Sequence, residues 1–100
     1  MKILQVMPRS NKRTRLKALL KATERELRGS STTFKRQKEG RWKHKKYPGW
    51  INWDESQGGV LVAEVKTLDH KAEWQLLQAF IGYLDRHLSE HIESVSITYR

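Results

Sequence analysis

Val60-Leu61-Val62-Ala63-Glu64-Val65-Lys66, followed by Thr67-Leu68-Asp69, is the stretch on which the fold turns. Leu61, Ala63 and Val65 alternate with Val62, Glu64 and Lys66, the period-two pattern of a strand with one buried face. At Asp69 the period changes. Trp74, Leu77, Phe80, Ile81, Leu84 and Leu88 recur at helical spacing, predicting the main core helix from an Asp69 cap to about His91. Alternation returns in Glu93–Tyr99, with Val95, Ile97 and Tyr99 inward and Ser94, Ser96 and Thr98 outward.

Towards the N-terminus the signals weaken. Ser56–Gly59 and Pro48-Gly49 read as turns on either side of a short strand, Trp50–Trp53. Thr32–Arg36 and Arg41–Lys45 are candidate strands across a Lys38-Glu39-Gly40 turn, although their apolar content is poor. Ser10 or Asn11 can cap a first helix running to about Arg28, with a narrow stripe of Leu16, Leu19, Leu20, Thr23 and Leu27 and a stop at Gly29. Met1–Met7 is a short apolar run ended by Pro8. The expected fold is α+β, with two helices packed on one mainly antiparallel or mixed sheet of three to five strands. If residues 1–10 are an N-terminal tail or a short strand outside the sheet, the order is (β)αβββαβ and residues 11–100 form the single domain. If they pair, a ferredoxin-like βαββαβ sandwich is the alternative; the Met7-Pro8-Arg9-Ser10 break favours the former.

A chain of 100 residues has room for one core. It contains no Cys, which excludes disulfides and thiolate metal sites and points to a reducing, cytoplasmic setting. No apolar run approaches the roughly 18 residues of a membrane span. Charge is the strongest functional signal. Residues 1–46 hold 16 Lys and Arg against 3 Asp and Glu, a net of +13, whereas residues 47–100 hold 4 against 8, a net of −4. The basic half exceeds the roughly 2–8 charges that solubility asks of a small domain.

Arg13, Lys17, Lys21 and Arg25 lie at successive i,i+4 steps and form one basic ridge on the first helix. Lys35, Arg36, Arg41, Trp42, Lys43, Lys45, Lys46 and Tyr47 interleave cations with flat side chains, followed by Trp50 and Trp53, which read better as core residues of half-buried strands, with Trp42 a third candidate for the core. Cations spaced along a phosphate backbone, with rings on which bases stack, are what single-stranded nucleic acid requires. The first expectation is therefore a nucleic-acid-binding domain, DNA or RNA, making mainly phosphate contacts without catalysis or cofactor. On this reading the first helix and residues 35–46 form one contact surface. Trp42 or Tyr47 on an exposed sheet face would favour single strands, and a helical ridge would favour duplex. An assembly module whose basic half meets acidic protein is a further reading, with the oligomeric state open. A membrane partner is not expected, since the basic helix has no Trp or Phe to enter a lipid interface.

Glu64-Val65-Lys66 puts a carboxylate and an ammonium on one face of a strand, a geometry suited to a metal ligand beside a cation that steadies an attacking water. Gly59-Val60-Leu61-Val62-Ala63-Glu64-Val65-Lys66-Thr67, between a glycine turn and a helix, resembles the glutamate–x–lysine strand of PD-(D/E)XK nucleases, whose core has the αβββαβ order. That resemblance implies a Mg²⁺- or Mn²⁺-dependent nuclease with Glu64 as metal ligand and Lys66 as catalytic cation. The family's other acidic ligand lies in the preceding strand; here that strand reads Ile51-Asn52-Trp53, and Asp54 at its exit is the nearby acid. His87-Leu88-Ser89-Glu90-His91 matches an H-x-x-E-H metalloprotease pattern, but only nine residues follow to supply a third ligand, and histidines at a helix C-terminus suit the macrodipole.

Overall fold

The computed structural model describes residues 1–10, 15–27, 34–37 and 41–100. Along them run β1 (Lys2–Pro8), α1 (Leu16–Leu27), β2 (Phe34–Arg36), β3 (Trp42–His44), β4 (Trp50–Glu55), β5 (Leu61–Lys66), α2 (His70–Leu88) and β6 (Ile92–Tyr99). The strands form one antiparallel sheet in the order β2-β3-β4-β5-β1-β6. The α+β, helix-on-sheet class is as expected, but the sheet has six strands rather than three to five.

The largest correction concerns residues 2–8, which form an inner strand rather than a tail. Leu4 faces Ala63 on one side and Ile97 on the other. Lys2, Leu4 and Val6 are buried towards the helices, while Ile3, Gln5 and Met7 alternate to the opposite face. Pro8, which has no N–H for the ladder, marks a register shift where the pairing ends. The βαββββαβ order therefore replaces αβββαβ. β1 and β4 run in the same direction with β5 between them, and β5 and β6 run in the same direction with β1 between them. Two split β–α–β units thus interleave, as in the βαββαβ alternative, with the β2–β3 hairpin added ahead of β4.

Both helices share one core on one side of the sheet. It holds Leu16 and Leu20 of α1, Phe34, Trp42, Ile51 and the inward residues of β1 and β5, and Leu76, Leu77, Phe80, Tyr83, Leu84 and Leu88 of α2. Asp69 caps α2, its side chain accepting from the Lys71 N–H at 3.1 Å. Each buried Leu or Phe on α2 contributes about 1.5–3 kcal/mol. The buried stripe is rotated from the expected one, since Trp74 is 40% exposed while Leu76 and Tyr83 are inside. Burial and the nearby Glu24 carboxylate push the Tyr83 phenol up to about 12, so Tyr83 is a neutral core ring.

One ion pair is buried with this core. Lys2 Nζ lies 2.7 Å from Glu73 Oε1 in the first turn of α2, and also 5.3 Å from the centre of the Tyr99 ring. Burial works to raise the Glu73 pKa, but Lys2 and the Met1 α-ammonium, 3.3 Å away, hold the carboxyl below its usual range. Among the described residues, no helix is long and apolar enough to cross a membrane.

Candidate nucleic-acid interface

The face of the sheet turned away from α1 and α2 carries the densest group of cations, and strand alternation decides which ones. Trp42 points into the core, so its neighbours Arg41 and Lys43 point out. Phe34 and Ile51 likewise send Lys35, Trp50 and Asn52 to the open face, and the inward Ala63 and Val65 send Glu64 and Lys66 there. The register pairs Lys35 with Lys43 and Trp50 with Lys66. Half-buried Trp50 is thus surrounded by cations, with the Arg41 guanidinium 4.6 Å above its ring. Its indole Nε1 is buried and finds no acceptor among the described residues. Across the sheet the charge fades, and the outward residues of β6 are Ser94, Ser96 and Thr98.

The turn after β3 brings Lys45 and Lys46 to the edge of this face. His44 Nδ1 accepts hydrogen bonds from the backbone N–H groups of Lys46, at 2.9 Å, and Tyr47, at 3.3 Å. The Tyr47 ring stacks on the imidazole with centroids 4.7 Å apart, and Phe34 meets it edge-on. Burial, then the Lys46 charge, lower the His44 pKa, which keeps the ring a neutral acceptor. Gly49 closes the turn at φ 105°, and a Cβ there would run into the Lys66 carbonyl and the Thr67 side chain. Only glycine lets the turn pass the end of β5 so closely.

The expected single surface of α1 and residues 35–46 divides in two. α1 lies on the core side of the sheet, and its start meets the end of β4: Lys17 bonds Asp54 at 2.8 Å and Arg15 bonds Glu55 at 2.8 Å. The Asp54 hydrogen bond raises the Lys17 pKa, and the same bond lowers that of Asp54. Lys21 and Arg25 are exposed on this side, and Arg36 alternates towards it at the β2 edge. Arg13, the Asn11 cap and the Lys38-Glu39-Gly40 turn lie outside the described residues. Among the described residues no ion pair involves Lys21, Arg25, Lys35, Arg36, Arg41, Lys43, Lys45, Lys46 or Lys66.

Two aromatic assignments change. Trp42 is 1% exposed and packs against Phe34, Phe80 and Tyr83, so it cannot offer a ring to a base. Tyr47 is half-buried and occupied by His44. Trp50, which the sequence favoured as core, is instead the ring on the open face. Its parity with Ile51, a better core residue, was the available signal.

Glu64 and Lys66 share the open face, but the residue facing Glu64 on β4 is Asn52, and on β1 it is Ile3. Asp54 faces Val62 and is engaged by Lys17. Among the described residues no group of three or more His, Asp or Glu is placed to hold a metal ion. His87 packs on the Tyr83 ring, and His91 ends a separate 3-10 turn. No family model matches the chain, and no curated protein or solved structure matches it either. Fold and surface together define a small α+β domain with one open, cationic sheet face.

Proposed function

We propose that this domain binds nucleic acid, DNA or RNA, through phosphate contacts on the open sheet face, without catalysis. The observation that carries the reading is the Lys35–Lys43 pair, two like charges placed directly across a strand ladder. Such pairs destabilise a sheet, and bound phosphates relieve the repulsion. Arg41, Lys66, Lys45 and Lys46 extend the patch around Trp50, whose half-buried ring holds the Arg41 guanidinium on the same face. Lys21, Arg25 and Arg36 wrap the charge round the β2 edge and lengthen the path a backbone can follow. The contacts position a strand by its charge and carry little sequence information.

Fluorescence anisotropy of labelled single-stranded RNA and duplex DNA, read from 50 to 200 mM salt, tests this. About five phosphate contacts on duplex imply a loss of affinity of a few hundred-fold over that range. No binding at 50 mM salt would end the proposal. Repeating the titration with Mg²⁺ or Mn²⁺ leaves the ligand intact on this reading. Cleavage abolished by Glu64→Ala would instead favour the nuclease.

A further inference from the structure

The edge of the sheet farthest from the cations is built unlike an edge meant to stay bare. β6 is eight residues long and, among the described residues, pairs with β1 alone. Long edge strands are ordinarily blunted by lysine, proline or a bulge. β6 does carry a bulge at Glu93, its one charge, where Met7 faces Ser94 and Pro8 faces Ile92; from Ser94 to Tyr99 the pairing is regular and there is no Lys, Arg or Pro. The helix-side face of β6 is also poorly covered, with Val95 38% and Tyr99 68% exposed. Beside it lies a groove of about 160 Å³ lined by Ile81, Leu84, Ile92 and Val95, with Asp85 and Ser89 at its polar end. Exposed Trp74 lies seven residues before Ile81, on the same stripe of α2.

We infer that the occupant of this edge is a second copy of the chain: two β6 strands pair antiparallel about a two-fold axis, joining two six-stranded sheets into one of twelve. Charge selects this partner and this edge. The opposite edge carries Lys35 and Arg36, where two copies of a +9 chain repel. The β6 end is nearly neutral, and pairing there holds the basic ends far apart. A polyanion finds few cations at β6, and an acidic protein finds none on the strand itself.

The pattern of β6 is self-complementary. With the axis near Ser96, the middle of the strand, residues of one parity meet residues of the same parity. Val95 of each copy then lies beside Ile97 of the other, on the side where the two α2 stripes flank the seam. Ser94, Ser96 and Thr98 continue the open face without a break. The seam is long for an edge: the regular stretch Ser94–Tyr99, six residues at about 3.3 Å, spans roughly 20 Å of strand open to pairing. The dimer also sets two cationic patches on one continuous surface at opposite ends, though the interface itself rests on β6 and α2 alone.

Light scattering coupled to size exclusion, on the full chain at 10–200 µM in 0.15 and 0.5 M salt, tests the inference. The expected mass is twice 11.8 kDa at both salts. Val95→Lys, a charge on an already exposed site, is expected to halve it with the circular dichroism spectrum unchanged. The chain has no Cys, so Ser94→Cys, Ser96→Cys and Thr98→Cys each carry one thiol. Facing Cα atoms in an antiparallel pair are about 4.5–5.5 Å apart, within disulfide reach. One of the three is therefore expected to crosslink on mild oxidation. A monomer throughout overturns the inference, as does a dimer indifferent to Val95→Lys or an absence of crosslinking in all three. A dimer that dissolves at 0.5 M salt also overturns it, because that marks pairing of basic and acidic surfaces.

Discussion

Lys35 on β2 and Lys43 on β3 are direct cross-strand partners on the open face of the sheet. A ladder tolerates this arrangement at a cost, and the cost gives a way to separate folding from binding. Replacing one lysine by glutamate converts repulsion into attraction.

Lys35→Glu is accordingly expected to raise stability by about 0.5 kcal/mol in urea denaturation. It is also expected to weaken nucleic-acid binding and to lower the salt slope by about one for each phosphate that is no longer neutralised. Lys17→Glu is the contrasting variant. It breaks the Asp54 pair at the end of β4, and binding should change less, because Lys17 is already neutralised there. An equal weakening by both variants would show that Lys17 contributes to binding as much as the open face does.

His44 should make the β3 turn sensitive to mild acid. Its pKa is lowered in the fold, so between that value and the ordinary 6.5 the unfolded chain binds more protons than the native one. Stability then increases with pH through this window and is lost as pH falls below about 6.5. Protonated Nδ1 can no longer accept from the Lys46 and Tyr47 N–H groups. Asparagine offers an acceptor oxygen without a titration. Thermal melts from pH 8 to 5 should show the decline in the wild type and a shallower one in His44→Asn; parallel curves would discard the assignment.

The Lys2–Glu73 pair ties the first strand to the first turn of α2. Glu73→Leu leaves the Lys2 ammonium buried without its carboxylate, at an expected cost of about 3–5 kcal/mol. The double variant Lys2→Met with Glu73→Leu should recover most of that loss, because two apolar side chains replace both charges. The Glu73 pKa is lowered, so its contribution is present above the unfolded value of about 4.5 and is lost as pH falls through the native one. Urea midpoints at pH 7 and pH 4 measure both effects. A loss of less than about 0.5 kcal/mol for the single variant would mean the pair behaves as a surface ion pair.

Much of the fold was legible where one period ran uninterrupted. Leu61, Ala63 and Val65 announce β5, the Asp69 cap and the apolar stripe announce α2, and the β6 alternation is equally plain. The short β2 and β3 strands also lie where their turn signals placed them. The site was legible as a population of cations and not as a surface. Trp42 and Trp50 are both aromatic residues in basic, weakly patterned sequence, and composition cannot tell a core ring from an exposed one. Trp42 is held inward against Phe34 and Ile51 on the strands either side, whereas Trp50 is turned outward by Ile51 beside it on β4.

What the sequence by itself determined are the properties carried by near neighbours: helical and strand periods, the Asp69 cap, the absence of thiols and the concentration of positive charge before residue 47. What only the tertiary structure decided are the properties set by distant pairing. β1 is a strand because Leu4 fits between Ala63 and Ile97, roughly sixty and ninety residues away along the chain. Lys35, Arg41, Lys43 and Lys66 form one patch because antiparallel registers bring four strands to one face, while Lys17 is drawn away to Asp54. The physical reason is that a strand has no satisfied backbone until its partner is chosen. Which side chains then share a face follows from that choice and not from any local pattern.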